Sequence, residues 1–185
     1  MVRRGPGQVP DRPEVRIVLC VIAKLDGEAT ERLRSFQRLI GSRAKAPSPV
    51  YGHITVAVYL PEDDKLFMRS CTDLIRGRRA FTVRYGRIEV LRETSVIAAI
   101  PSVPEDLKDL HDRIVRDHGY SLDQWTGGER WYPHTTLLHD PGADLDAIRR
   151  DMERQLRPFD AWISRIEFSR VLDTGYTIVG TVGLV

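Results

Sequence analysis

The chain has 185 residues, 42% hydrophobic and 29% charged, which is enough to bury one sizeable core, or two small ones sharing an interface, and excludes a disordered chain. A formal net charge of +2 lacks the basicity needed to grip duplex DNA along many phosphates, so duplex DNA is not an expected partner. The two cysteines, Cys20 and Cys71, fit neither a metal spacing nor a disulfide framework and read as free thiols of a reducing compartment.

Residues 1–14 are rich in Pro, Gly and charge and are expected to form a flexible N-terminal arm. The apolar run from Val15 to Ala23 is too short to span a membrane. It leads into Lys24-Leu25-Asp26-Gly27 rather than the small residues of a signal-peptide cleavage site. A cytoplasmic protein with no membrane attachment is expected. That run is β-rich, and Glu28–Ile40 then sets Leu33, Phe36, Leu39 and Ile40 at helical spacing. After the Pro47-Ser48-Pro49 loop, Ile54, Val56 and Val58 alternate along a second strand. Pro61 is placed to start a helix to about Arg76, and Phe81–Leu91 reads as a third strand. The second half follows with strand Ser95–Ile100, helix Pro104 to about His118, strand Trp131–His139, helix Pro141 to about Leu156 and strand Phe159–Leu172. A last strand, Tyr176–Val185, completes one of the sheets.

The order βαβαβ thus occurs twice, and the residues echo it: Phe81 and Arg87-Ile88-Glu89 return 78 positions later as Phe159 and Arg165-Ile166-Glu167. A period this long, occurring twice, is too long for a solenoid. It predicts an α+β fold of two duplicated lobes, about 15–91 and 94–185. Each lobe would be a mostly antiparallel sheet with outer helices, and a central cleft would lie between them in a single domain over 15–185.

Two short motifs occupy matching strands of the repeat, His53-Ile54-Thr55 and His134-Thr135-Thr136. Residues i and i+2 of a strand share a face, so each lobe offers one imidazole and one hydroxyl, with Ile54 and Thr135 turned the other way. In-line cleavage of a phosphodiester needs a base beside the entering oxygen and an acid beside the leaving one, and two imidazoles related by a two-fold axis meet that need. Their ordinary pKa of about 6.5 keeps both protonation states available. The threonine hydroxyls can donate to the non-bridging oxygens. The scheme needs no cofactor.

The tetrads His53-Ile54-Thr55-Val56 and His134-Thr135-Thr136-Leu137, about 80 residues apart, resemble those of the 2H phosphoesterase superfamily. The run Trp131-Tyr132-Pro133-His134 is similar to the branch holding 2'-5' RNA ligase-like proteins and cyclic phosphodiesterases. Over residues 15–185 the resemblance implies a bilobal fold and metal-free hydrolysis of 2',3'-cyclic or 2'-5'-linked phosphodiesters. It implies catalysis by His53 and His134, with Thr55 and Thr136 holding the phosphate. Two departures stand out. Leu138-His139-Asp140 replaces an Arg common after the second motif, and Gly52 replaces a Pro common before the first His.

Further substrate contacts are expected from Lys45, Tyr51, Trp125, Arg130 and Tyr132. The segment Gly119–Arg130 should overhang the cleft, where an aromatic can stack on a base. His111 and His118 are expected on a solvated helix face. The anticipated partner is a nucleotide or RNA phosphodiester bound by a monomer. The same groups could instead run the reverse reaction as an RNA ligase, or only hold a phosphorylated ligand. A zinc site on His134 and His139 is the remaining alternative, disfavoured because residues five apart on a strand face opposite sides unless a bulge intervenes.

Overall fold

The computed structural model describes residues 18–46, 48–119, 131–172 and 175–185; the expected N-terminal arm, Trp125 and Arg130 lie outside the described residues. In chain order the elements are β1 (Val18–Leu25), α1 (Gly27–Arg38), β2 (His53–Tyr59), α2 (Asp64–Ile75), β3 (Phe81–Leu91), β4 (Val96–Pro101), α3 (Glu105–His118), β5 (Thr135–His139), α4 (Leu145–Gln155), β6 (Phe159–Leu172) and β7 (Gly175–Gly183). The α+β class is as expected. Two helices begin later than the prolines suggested, because side-chain caps set their ends. Asp63 accepts the amides of Lys65 and Leu66 at 2.9 and 3.0 Å, and Asp144 accepts that of Ala147 at 3.0 Å.

All seven strands join one antiparallel sheet in the order β2-β1-β6-β3-β4-β5, with β7 on β6. Its centre is the pairing of β3 with β6, where Val83 stands opposite Ala161, Phe81 opposite Ile163 and Tyr85 opposite Phe159. Positions 78 apart therefore pair reciprocally about Val83 and Ala161. On one side β1 sets Lys24 opposite both His53 and Arg165, Ile22 opposite Thr55 and Glu167, and Cys20 opposite Ser169. On the other, β4 sets Ile100 opposite Arg87, Ala98 opposite Thr136 and Glu89, and Val96 opposite Leu91. The registers match residue for residue. They even match in their irregularities, since the pairings skip Val56 on β2 and Leu137 on β5, and Ser164 on β6 and Gly86 on β3.

Those bulges correct the simple alternation. After Val56 the phase shifts, so Ala57 and Tyr59 are buried while Val58 is only half-buried. The expected strand Trp131–His139 begins at Thr135, four residues late. Leu33 and Phe36 of α1, Leu107, Leu110 and Ile114 of α3, and Ile148 and Met152 of α4 join Val21, Ala23, Ile54, Val56, Leu137, Ile166 and Phe168 in one core. The opposite face of the sheet carries His53, Thr55 and Thr136.

Candidate active site

The two motif strands are held to each other by side chains reaching across the halves. Both are sheet edges, whose outward carbonyls need partners. For β2 these come from the second half. Thr135 Oγ1 donates to the carbonyl of His53 at 2.7 Å, Trp131 Nε1 to that of Thr55 at 3.3 Å, and His111 Nδ1 to that of Val56 at 2.8 Å. For β5 the partner comes from the first half, Gln37 Nε2 donating to the carbonyl of Leu137 at 2.7 Å while its Oε1 accepts the amide of Val50 at 2.9 Å. Leu137 and Val56 are the matched bulge residues, so α1 and α3 each cap the other half's motif strand.

His111 was expected in solvent and is not. It is 3% exposed and stacks on Trp131, ring centres 4.1 Å apart and 5° from parallel; burial lowers its pKa, offset in part by the bond to Val56. Nor is His118 solvated: its ring packs on Phe67 at 4.7 Å and its Nε2 is buried without a partner among the described residues. The sequence hid these roles because an amphipathic helix with His at its margin reads as polar unless the facing strand edge is known.

Around the motifs the halves repeat a second constellation. Tyr51 donates its hydroxyl to Glu167 Oε2 at 2.7 Å, and Arg165 Nε donates to Oε1 of the same carboxylate at 2.7 Å. Tyr132 donates to Glu89 Oε2 at 2.5 Å, with Arg87 Nη1 at 3.0 Å from Glu89 Oε1. Burial and then the carboxylate push both phenols up to about 12. Tyr51 and Tyr132, each two residues before its His, are thereby fixed in orientation. The glutamates were not singled out in the sequence, although the repeated Arg-Ile-Glu triplet contained them.

Three matched positions break the symmetry. Lys24, 8% exposed, stands where the other half has Ile100. Its ammonium donates to the carbonyls of Leu25 and Gly52 at 3.0 Å each and to Thr30 Oγ1 at 3.3 Å, and lies 4.7 Å from the centre of the Tyr51 ring. Gly52 stands where the other half has Pro133. It adopts φ +74°, a conformation closed to proline, and its carbonyl turns to Lys24 and to the amide of Leu25. The third pair is Ser169 and Leu91. Leu91 packs with Ala98, Ile100, Val96 and Tyr132 in a small apolar cluster, whereas the Ser169 side holds a cavity of about 350 Å³ lined by Ile22, Tyr51, His53, Thr55, Ser169 and Tyr176, among others.

The two imidazoles differ accordingly. His134 Nδ1 bonds to the carbonyl of Tyr132 at 2.9 Å; a carbonyl only accepts, so Nδ1 carries a proton and Nε2 is the free nitrogen. His53 Nδ1 is buried without a partner among the described residues. Burial, then Lys24, then His134 itself press the His53 pKa down to about 4, against a weaker pull from Glu167. His134 is thus among the groups whose charge acts on His53.

Lys45 is exposed, and its amide donates to Asp140 Oδ2 at 2.8 Å. The bulge at Leu137 does return His139 to the face of Thr136, opposite Val96, but His139 is exposed and among the described residues no three of His, Cys, Asp and Glu converge as metal ligands would. Arg38 pairs with Glu31, Arg43 with Asp151 and Arg78 with Asp109. Neither Cys20 nor Cys71 forms a disulfide among the described residues, and no described helix is long and apolar enough to cross a membrane.

Solved structures share this fold. TT0787 of Thermus thermophilus is 15% identical with a TM-score of 0.65, covering 90% of this chain and 97% of its own. LigT of E. coli in apo form is 14% identical at 0.62, covering 92% and 99%. Usb1 of Kluyveromyces marxianus is 14% identical at 0.54, covering 92% and 99%. No curated protein sequence matches. The family model of the 2'-5' RNA ligase superfamily, however, matches residues 22–175, which takes in both motifs, both Tyr-Glu-Arg constellations and every strand of the sheet at least in part; the chain belongs to the 2'-5' RNA ligase superfamily.

Proposed function

We propose that the protein is a metal-independent phosphodiesterase acting on nucleotide or RNA ends, 2',3'-cyclic or 2'-5'-linked, in which His53 and His134 move the protons and Thr55 and Thr136 hold the phosphate. The observation that carries this is the tie between the motif strands. Thr135 donates to the backbone of His53, and Trp131 to that of Thr55, which supports the reading that an imidazole and a hydroxyl from each half serve a common site. Acid and base on opposite sides of one phosphorus are what in-line displacement asks for.

The cavity beside His53 receives the nucleoside in this reading. Its walls are apolar apart from the His53 imidazole, a few hydroxyls and a thiol, and Tyr51 and Tyr176 meet edge to face at 5.3 Å, presenting rings against which a base can pack. LigT of E. coli has been crystallised with 3'-AMP and with phosphate, ligands of the same class. The duplicated two-lobed domain is part of the proposal too, supported by the matched registers and bulges.

The test is to incubate the protein, in the presence of EDTA, with 2',3'-cyclic nucleotides, RNA ending in a cyclic phosphate, and 2'-5' oligonucleotides. Turnover is expected, and His53→Ala or His134→Ala should lower it by about 10²–10⁴-fold while leaving binding largely intact. Binding of these compounds without turnover would instead identify a non-catalytic phosphate-binding module.

A further inference from the structure

Ser169 and Leu91, matched in the repeat, differ in what they leave beside them. We infer that the cavity on the Ser169 side is a pocket for a single purine base, whose hydrogen-bonding edge reaches the Ser169 hydroxyl while its ring packs against Tyr51 and Tyr176. The inference rests on the proposed reading that this cavity seats the nucleoside, and adds to it the class of base and the residue that selects it.

Ser169 is 4% exposed, lines the cavity and has no hydrogen-bond partner among the described residues. A hydroxyl withdrawn from water without a partner costs stability, and buried hydroxyls are for that reason nearly always bonded. Leu91 shows that the same strand position accepts an apolar side chain, packed in the other half with Ala98, Ile100 and Tyr132. A serine at such a place, beside an open cavity, finds its partner when the cavity is filled. The other polar walls have their own employment. Tyr51 donates its hydroxyl to Glu167, and His53 and Thr55 serve the phosphate in the proposed reaction.

The strand registers give the span between the two ends. Thr55 stands opposite Ile22 and Ile22 opposite Glu167, and Ser169 follows two residues further along β6, opposite Cys20. Two strand spacings across and two residues along set the backbones of Thr55 and Ser169 roughly 11 Å apart. A phosphate at Thr55 and a base edge at Ser169 therefore occupy opposite ends of one cavity. A purine carries its hydrogen-bonding edge a full ring further from the sugar than a pyrimidine does, so the purine closes the span. The volume of about 350 Å³ stands at the small end of ligand pockets, roughly 300–1,000 Å³, and admits one base rather than a stacked pair. Around Ser169 the walls are Ile22, Val171 and the two tyrosine rings, apolar surface on which the larger ring system gains more contact. A hydroxyl both donates and accepts, so it serves a ring nitrogen, a carbonyl or an amino group, and adenine and guanine are both admitted.

The experiment measures binding of the 2'- and 3'-monophosphates of adenosine, guanosine, cytidine and uridine, and of inorganic phosphate, to the full chain by calorimetry. Alkylation of Cys20, which lines the cavity, is followed in the same mixtures with the fully buried Cys71 as internal reference. Purine nucleotides that bind at least about tenfold more tightly than pyrimidine ones, and that slow Cys20 alkylation where phosphate alone does not, support the inference. Ser169→Ala removes the hydroxyl and little volume; it should weaken the purine nucleotides by about three- to tenfold, the worth of one hydrogen bond, and leave inorganic phosphate within about twofold. Ser169→Leu, the side chain of the matched position, should abolish the preference for purines. Equal affinity for purines and pyrimidines, Cys20 alkylated as fast under saturating purine nucleotide, or purine affinity unmoved in Ser169→Ala overturns the inference, and diester turnover on the same preparation then decides the phosphodiesterase reading separately. Purine binding as described with no diester turned over overturns the phosphodiesterase reading and leaves the pocket in place. No binding of any nucleotide overturns both.

Discussion

Thr135→Val is the sharpest test of how the two halves are joined. The Thr135 side chain is 1% exposed and makes two bonds, to the carbonyl of His53 at 2.7 Å and with the hydroxyl of Tyr85 at 2.7 Å. Its single hydroxyl proton goes to the carbonyl, so Tyr85, itself fully buried, must be the donor in the second bond. Valine keeps the shape and strands both partners. Each buried group left unpaired costs about 1–3 kcal/mol, so a loss of roughly 2–4 kcal/mol in unfolding free energy is expected after relaxation. Tyr85→Phe removes a donor whose acceptor keeps its other bond and should cost only about 0.5–1.5 kcal/mol. In the double variant only the His53 carbonyl is orphaned, so the pair should be less damaging than the sum by about 1–2 kcal/mol. Urea denaturation of the four proteins measures these values, and turnover on the same samples should fall more steeply for Thr135→Val than for Tyr85→Phe. Additive effects, or a Thr135→Val variant within about 0.5 kcal/mol of the wild type, would mean that this hydroxyl does not bind the halves together.

Other outcomes follow from the same coordinates. Gly52→Ala should destabilise by about 2–5 kcal/mol, from a left-handed backbone and a crowded Cβ. That Cβ would meet Thr30 Oγ1 at 2.1 Å, and adding Thr30→Ala should recover only the steric share in a denaturation experiment. Trp131→Phe keeps a ring to stack on His111 but loses the donor to Thr55, so about 0.5–1.5 kcal/mol of stability should go, with a fall in turnover. His53, held at about 4 in the folded chain against 6.5 for the free group, binds fewer protons folded than unfolded between those values. Stability should therefore fall as the pH drops from 6.5 towards 4, by up to ~3 kcal/mol, and the lowered His111 and His118 act in the same sense. Thermal melts across that range, repeated with His53→Gln, should show a shallower decline in the variant.

The fold class and the family were legible in the chain itself. The paired motifs, the recurring Arg-Ile-Glu triplet and the strand-helix order are local or periodic signals, and they were sufficient for the fold class, the family resemblance and the four residues around which the proposal is built. Tyr51 and Tyr132 were expected as substrate contacts, and their bonds to Glu167 and Glu89 were not legible in the sequence.

What the residues could not disclose depends on contacts between distant segments. A bulge changes which face a side chain occupies, and nothing in Val56 or Leu137 announces one; it is set by the register that β1 and β4 impose. His111 looks solvent-facing until the open edge of β2 is laid against α3. Most of all, two motifs alike on paper become unlike in space. Lys24 is an ordinary basic residue in sequence, and only when the sheet closes does it lie buried beside one imidazole, where Ile100 lies in the other half. Sequence conveys periodicity and residue chemistry, whereas burial and proximity, which govern protonation, arise only when separate strands are packed together.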